Sequence, residues 1–207
     1  LASVIAQMKV RITELEKSRT ALTAEITKQF PEYSKLTHPT PPTIADIAAK
    51  LKPDEALVTL LPTDTAVYVW AISSNAQGAA AQQFAKVDID KSALTALVKR
   101  LRASLDVAGL ESNRRPAFDH AASQELYAKL LSPAQQGLAG KTSLIIAAGG
   151  VLGQIPFGVL ETSVVPATTS MKDAPWLIKQ AAITHVPSVA AWLSMRALPH
   201  KEAAQPM

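Results

Sequence analysis

One short segment limits the folds open to this chain more than any other. Residues 142–148 carry no charged side chain, include an unbroken Leu-Ile-Ile run and end at Gly149-Gly150. A charge-free run of this length is typical of a strand buried on both faces, because neither face can be left in water. Such a strand needs a sheet that is covered on both sides. We therefore predict an α/β fold in which helices flank a mixed sheet.

The first 30 residues predict one long helix. Apolar side chains recur there at steps of mostly three and four residues, with charged residues between them. These side chains are Val4, Met8, Ile12, Leu15, Leu22 and Ile26. Arg19 interrupts the stripe where a heptad would place an apolar residue, so the pattern favours packing against a helical neighbour over a long coiled coil. That neighbour can lie outside this chain. Pro31 is expected to end the helix.

The remaining pattern alternates strand and helix signals. Thr43 and Asp46 predict a capping box that opens a short helix, 44–51. Two apolar runs joined by a Pro-Thr-Asp-Thr turn predict an antiparallel hairpin, which a third strand extends into a meander. Asp90 and Ser188 are predicted helix N-caps. The predicted strands are 56–61, 66–72, 82–87, 142–148 and 182–186, and the predicted later helices are 91–105, 120–131 and 188–198.

Three segments follow from this order. A long helix and a proline-rich connector occupy 1–42, an α/β domain occupies 43–198, and 199–207 is expected to be a flexible linker open to proteolysis. The start at Leu1 and the Ala- and Pro-rich tail predict a piece of a longer protein. Neither a membrane-spanning apolar stretch nor a signal-peptide pattern is present in the sequence, so we expect a cytoplasmic protein that binds no membrane.

Composition excludes several functional classes. The 207 residues include no cysteine, so the chain cannot form disulfide scaffolds or zinc ribbons, or supply a cysteine nucleophile. Four scattered histidines, without a carboxylate cluster at helical spacing, predict no metal site, and no cofactor is indicated. The 21 Lys and Arg and the 17 Asp and Glu are spread along the chain, which indicates a mixed surface and no nucleic-acid partner.

Serine and histidine offer the remaining nucleophilic chemistry, since a base must lie within hydrogen-bond reach of the hydroxyl that it activates. His120 and Ser123 are three residues apart on a predicted helix and share a face. His185 and Ser188 flank Pro187. Neither pair occurs in a Gly-x-Ser-x-Gly turn, so we interpret the first pair as structural, Ser188 as an N-cap and His185 as a strand-edge residue. No residue is predicted to be catalytic.

Two features would suit ligand binding but are explained by ordinary structure. The Gly-Gly-Val-Leu-Gly segment at 149–153 follows a buried strand, as phosphate loops do. It lacks the spacing of the known phosphate-binding patterns, so we predict a tight turn between two strands. Trp70, Trp176 and Trp192 occur in apolar strand or helix contexts, where burial is the expectation and ligand stacking the lesser alternative.

The densest basic region is Lys99, Arg100 and Arg102, followed by Arg114-Arg115. Nucleic-acid recognition would place such charges on one face with aromatic residues among them. Here the predicted helix directs the charges to diverging faces and aromatic residues are absent. We therefore interpret this region as a solvated helix face.

Several short segments also occur in a characteristic order. They are Phe30-Pro31-Glu32-Tyr33, the 43–51 helix, Asp54-Glu55-Ala56-Leu57-Val58, Tyr68-Val69-Trp70, 144–160, Trp176-Leu177-Ile178 and Ile183-Thr184-His185-Val186-Pro187-Ser188. This ordered set, which spans nearly the whole chain, resembles the first half of a CHAT domain. CHAT domains are caspase-like peptidase domains that often follow tetratricopeptide repeats in bacteria.

The resemblance implies a caspase-like half domain whose catalytic residues lie elsewhere. The family's catalytic pair is a His in a His-Gly step and a Cys after a later strand, both C-terminal to the segments matched here, and this sequence contains neither. The resemblance therefore implies the non-catalytic N-terminal portion of a cysteine peptidase, which supports or gates the catalytic half. Its implied partners are that half, upstream tetratricopeptide repeats or a second copy.

Two other hypotheses remain open at this point. The chain can be a protein–protein interaction module of a parent that has no peptidase activity even at full length. It can also be a self-contained serine hydrolase, in which case Ser123 or Ser188 would react with a fluorophosphonate probe.

Overall fold

The N-terminal helix, α1, extends over Ala2–Gln29 and confirms the prediction of one long helix that ends before Pro31. Its apolar side chains are exposed, with exposed fractions from 37% for Ile26 to 63% for Leu22. In the computed structural model, α1 belongs to a unit of its own, Leu1–Pro41, and all other elements belong to the unit Pro42–Met207.

The structure describes residues 2–30, 41–75, 78–106 and 117–198. Most of the proline-rich connector predicted within 1–42 falls outside these residues. The linker predicted at 199–207 and the Arg114-Arg115 pair also lie outside the described residues.

The second unit is built on a five-stranded sheet. Its strands are β1 Glu55–Pro62, β2 Ala66–Ser74, β3 Ala80–Asp88, β4 Ser143–Ala148 and β5 Ala182–Val186, in the order β3-β2-β1-β4-β5. The first three strands form the predicted antiparallel meander, whereas β1, β4 and β5 run parallel. The charge-free β4 lies between two strands, and its four central side chains are buried. The predicted α/β fold with a mixed sheet is therefore confirmed.

Four helices of this unit begin within one residue of the predicted start, and a fifth, Gln135–Leu138, was not predicted. They are α2 Ile44–Ala48, α3 Lys91–Ser104, α4 His120–Leu130, α5 Gln135–Leu138 and α6 Val189–Ala197. Thr43, Asp90 and Ser188 each accept a backbone N–H of the first turn, as N-caps do. Helix α2 ends before the predicted Leu51, because the chain tightens there into turns closed by i to i+3 hydrogen bonds. Among the described residues, no helix is both long and apolar enough to cross a bilayer.

The capping box predicted at the start of α2 is present in full. The Thr43 hydroxyl and the Thr43 backbone N–H donate to the Asp46 carboxylate at 2.6 and 3.0 Å. These two hydrogen bonds lower the pKa of Asp46, because they stabilise its charged form. The Thr43 hydroxyl also accepts the Asp46 N–H at 3.1 Å, so the side chain of each residue satisfies the backbone N–H of the other at the helix start.

The sheet buries an apolar layer on each face. On one face, alternating residues of β1, β2 and β4 pack against α3 and α4, in a cluster that includes Val58, Leu97 and Leu126. The opposite face is covered in part by α2 and α6. The cluster on that face consists of Ile47, Leu51, Leu57, Ile72, Ile145, Ala147, Val186 and Trp192. Both faces of β1 and β4 are thus removed from water, which the charge-free sequence of β4 requires.

The glycine segment after β4 departs from the prediction in one respect. Gly150 has a φ of +59° and provides the predicted tight turn. A second strand does not follow, and the prediction of a turn between two strands is wrong on that point. The chain continues instead in two short 3-10 turns, Leu152–Gln154 and Phe157–Val159. Pro156, between them, has no N–H to donate to a strand ladder.

We expect Gly137→Ala to destabilise the second unit by about 1–3 kcal/mol, because overpacking a close contact forces the neighbouring backbone to move. Gly137 lies in α5, and a Cβ added there would come within 2.9 Å of the Ala71 Cβ on β2. Gly149→Ala is the matched control, since an added Cβ would meet nothing within 4 Å. Urea denaturation of both variants checks the prediction, and equal stability of the two would contradict it.

Candidate functional site

The first turn of α4 carries one of the two predicted Ser/His pairs. Asp119 caps this helix by accepting the Ala122 N–H at 2.8 Å, and it also forms a 2.9 Å ion pair with Arg100 of α3. His120 and Ser123 share the inward face of α4, as their spacing predicts, and both are buried. The cap and the ion pair therefore fix the end of the helix from which both side chains project.

His120 is paired with a buried carboxylate. Its Nδ1 lies 2.7 Å from Glu161 Oε1, and both side chains are almost fully buried. The other carboxylate oxygen of Glu161 accepts a hydrogen bond from Gln124 Nε2 at 2.9 Å. A carboxylate at Nδ1 fixes the orientation of an imidazole ring and its tautomer. The ring also stacks on Trp176 and meets the edge of Phe118.

Ser123 makes its hydrogen bonds to the backbone. Its Oγ donates to the Val159 carbonyl at 2.9 Å and accepts the Glu161 N–H at 2.8 Å. Its one O–H is thus directed at a carbonyl oxygen, whereas an activated serine directs its O–H at a base. Ser123 and His120 therefore reach the same segment, 159–161, by separate hydrogen bonds. The cluster can join α4 to the chain that follows the second 3-10 turn.

The second Ser/His pair is separated by its secondary structure. Ser188 is the N-cap of α6 and accepts the Ala191 N–H at 3.1 Å, which confirms its predicted role. His185 is exposed on β5, the last strand of the sheet, with its ring centroid 5.5 Å from that of Phe157. The strand-edge position predicted for His185 is also confirmed.

The basic residues of α3 contact neighbouring elements. Arg100 is paired with Asp119, whereas Nη1 of Arg102 donates to the Gln154 carbonyl at 3.2 Å. Arg102 and Gln154 line an open surface pocket of about 540 Å³, together with Ala103, Leu105, Asp106 and Pro156. The positive charges of α3 thus lie against two different parts of the unit.

The sheet carries an exposed aromatic face that the sequence analysis did not identify. Tyr68 and Trp70 of β2 and Phe84 of β3 have ring centroids 5.0–6.1 Å apart. Phe84 and the adjacent Leu61 of β1 are each more than half exposed. These four residues, named here the aromatic face, lie on the side of the sheet that α2 and α6 cover only in part.

The expectation of burial holds for only one of the three tryptophans. Trp192 of α6 is buried, and the Arg196 guanidinium lies 5.5 Å from its ring centroid. Trp176 is half-buried beside His120, with its Nε1 donating to the Met171 carbonyl at 2.7 Å. Trp70 is also half-buried, and the prediction for it is wrong because α2 and α6 do not extend over its part of the sheet.

The sequence contains a signal for the aromatic face but none for Glu161. The alternation of Tyr68 and Trp70 places both rings on one side of β2, and Phe84 is the cross-strand neighbour of Trp70. This pattern could have indicated the aromatic face. No local pattern indicates Glu161, because it lies 41 residues from His120 and outside any regular helix or strand.

No protein-family model and no curated protein matches this chain. Among the described residues, no three His, Asp or Glu side chains are grouped so as to hold a metal ion. What these sites can do follows from their geometry, above all that of the polar cluster around His120 and of the aromatic face.

We expect Ser123→Ala to lower the free energy of unfolding by about 1–3 kcal/mol, because it leaves the buried Glu161 N–H and Val159 carbonyl without their partner. The control is Ser194→Ala, the same change at an exposed helical position, with an expected effect within about 0.5 kcal/mol. Chemical denaturation measures both. A Ser123→Ala protein as stable as the control would show that these hydrogen bonds do not hold the segment.

Proposed function

We propose that this chain is the non-catalytic N-terminal portion of a caspase-like cysteine peptidase of the CHAT family, and that it supports or gates a catalytic half. The ordered segments that resemble the family motivate the proposal. The observation that carries it is the open edge of β5. Within the described residues, no strand pairs with the outer side of β5, and three of its five side chains are exposed.

A parallel sheet is normally covered on both faces. An unprotected parallel edge is also a site to which another strand can add. In β5, Ala182 donates its N–H to the Thr142 carbonyl, on the β4 side, at 2.9 Å. Successive residues of a strand direct their backbone N–H and C=O groups to opposite edges. The N–H and C=O groups of Ile183 and His185 therefore point outward, away from β4. Under this proposal, these groups receive the first strand of the catalytic half.

The chemistry of the chain agrees with a supporting role. A cysteine peptidase needs a thiolate, and the chain has no cysteine. The buried Ser123 hydroxyl donates to a carbonyl, and Ser188 caps α6. Nothing in the arrangement of these two serines provides an activated nucleophile. Under this proposal, the reactive groups belong to the catalytic half, and the work of this chain is to position that half.

The aromatic face favours a second candidate function, an interaction module in a parent without peptidase activity. Exposed aromatic clusters of this kind mark protein interfaces. The coding sequence beyond residue 207 separates the two candidates. A His-Gly step and a later strand followed by Cys within about the next 150 residues, a length typical of one domain, would support the peptidase. Their absence would support the interaction module and overturn the first proposal.

We expect no fluorophosphonate labelling of the folded chain and no hydrolysis of peptide substrates by it. The physical reason is that neither serine has a base in position to activate it. Intact-mass spectrometry after incubation with the probe measures the labelling, and a known serine hydrolase serves as the positive control. An adduct at Ser123 or Ser188 would establish the serine-hydrolase hypothesis instead.

We expect His185→Pro to leave the isolated chain folded but to abolish peptidase activity of the full-length protein. Proline removes an outward N–H from β5 and keeps the hydrogen bonds to β4. Thr184→Pro is the matched control, because Thr184 directs its N–H toward β4, and it is expected to destabilise the isolated chain itself. Circular dichroism and a peptide-cleavage assay measure the two effects. Full activity in the His185→Pro protein would contradict strand addition at β5.

A further inference from the structure

Helix α1 presents an apolar seam along its whole length. Its members are Ile5, Met8, Ile12, Leu15, Leu22 and Ile26, with exposed fractions between 37% and 63%. They follow steps of three, four, three, seven and four residues, and Arg19 divides the step of seven into four and three. This spacing is a continuous heptad seam over three heptads, with one polar member. An amphipathic helix gains most of its stability by packing such a seam against another element.

We propose that α1 pairs antiparallel with α1 of a second copy of this chain. Seam residues of the two copies then face each other in layers related by two-fold symmetry. The layers are Ile5 with Leu22, Met8 with Arg19, and Ile12 with Leu15, each occurring twice. This pairing is independent of the proposed function, since it involves only residues of α1.

Arg19 decides the orientation of the pair. In a parallel pair in register, each Arg19 would face the Arg19 of the other copy inside the seam, where two like charges repel at close range. In the antiparallel pair, Arg19 faces Met8, whose flexible thioether can pack along the aliphatic part of the arginine. The guanidinium then reaches water at the edge of the seam. A single polar seam residue of this kind sets orientation at some cost in stability.

Charges beside the seam decide the register. Lys9 and Glu16 occupy the same heptad position, directly after the seam residues Met8 and Leu15. In an antiparallel pair, residues at this heptad position of one helix lie beside residues at the same heptad position of the other helix. With Ile12 facing Leu15, each Lys9 lies beside a Glu16 of the other copy. A shift of one heptad in one direction would bring Lys9 beside Lys9, and a shift in the other would bring Glu16 beside Glu16. The proposed register is the one of these three that pairs opposite charges.

Sedimentation equilibrium of the complete chain tests the pairing. We expect a concentration-dependent mass that approaches twice the 22.0 kDa of the chain. Leu15→Lys places a charge in the two central layers and is expected to raise the dimer Kd about a hundredfold or more. Val10→Lys is the matched control, because Val10 is as exposed as Leu15 but lies off the seam. Its dimer Kd is expected to stay within about twofold of the wild type.

A charge exchange tests orientation and register without touching the seam. Lys9→Glu alone and Glu16→Lys alone are each expected to weaken the dimer about tenfold, and the double variant is expected to restore wild-type affinity. A parallel pair would not be restored, since Glu16 would then lie near Arg11 of the other copy. A wild-type mass that stays at 22.0 kDa would overturn the proposal. Equal effects of Leu15→Lys and Val10→Lys, or no restoration in the double variant, would overturn it as well.

Discussion

The arrangement of the second unit depends on strand β1, which is hydrogen-bonded along both edges and buried on both faces. Its antiparallel neighbour is β2 and its parallel neighbour is β4. Since β1 carries apolar side chains on both faces of the sheet, a separate layer must cover each face. Helices α3 and α4 complete one layer, and α2 and α6 complete only part of the other. At the start of β1, the buried Glu55 forms an ion pair with Arg196 of α6, which fixes the incomplete layer to the strand.

The polar cluster around His120 and the aromatic face beside the incomplete layer differ in whether they are free to bind a partner. The cluster of His120, Glu161 and Ser123 is closed, because its members hydrogen-bond to each other, to Gln124 or to the backbone of 159–161. The aromatic face is open, because Phe84 and Leu61 remain more than half exposed. A closed polar cluster stabilises the fold that contains it, whereas an open apolar surface gains free energy only by binding something. The surfaces proposed here to bind partners are therefore the uncovered ones: the aromatic face, the β5 edge and the seam of α1.

Local chemistry made much of the fold predictable. Thr43, Asp90 and Ser188 are recognisable caps because a short polar side chain precedes an apolar helical repeat. The strands are recognisable from alternation or from the lack of charge. Pro156 suits the first turn of a helix, and a 3-10 turn begins after it. The earlier turn, Leu152–Gln154, was not predictable, since the alternatives there differ by tertiary burial and not by local propensity. The partner of His120 could not be predicted for a related reason. Glu161 is distant in the chain, and only the packing of α4 brings His120 and Glu161 together.

The two halves of the sheet also differ in how far apart their paired strands lie in the chain. Strands β1, β2 and β3 are consecutive, whereas the β1 and β4 pairing joins Glu55 to Ser143, and β4 pairs in turn with Ala182. Closing such long loops is entropically costly and slows folding. The meander can therefore form early, while the parallel half must wait for distant segments to meet. Until β4 pairs with β1, the backbone N–H and C=O groups along that edge of β1 are unpaired, and a newly synthesised copy is then open to strand addition by other chains.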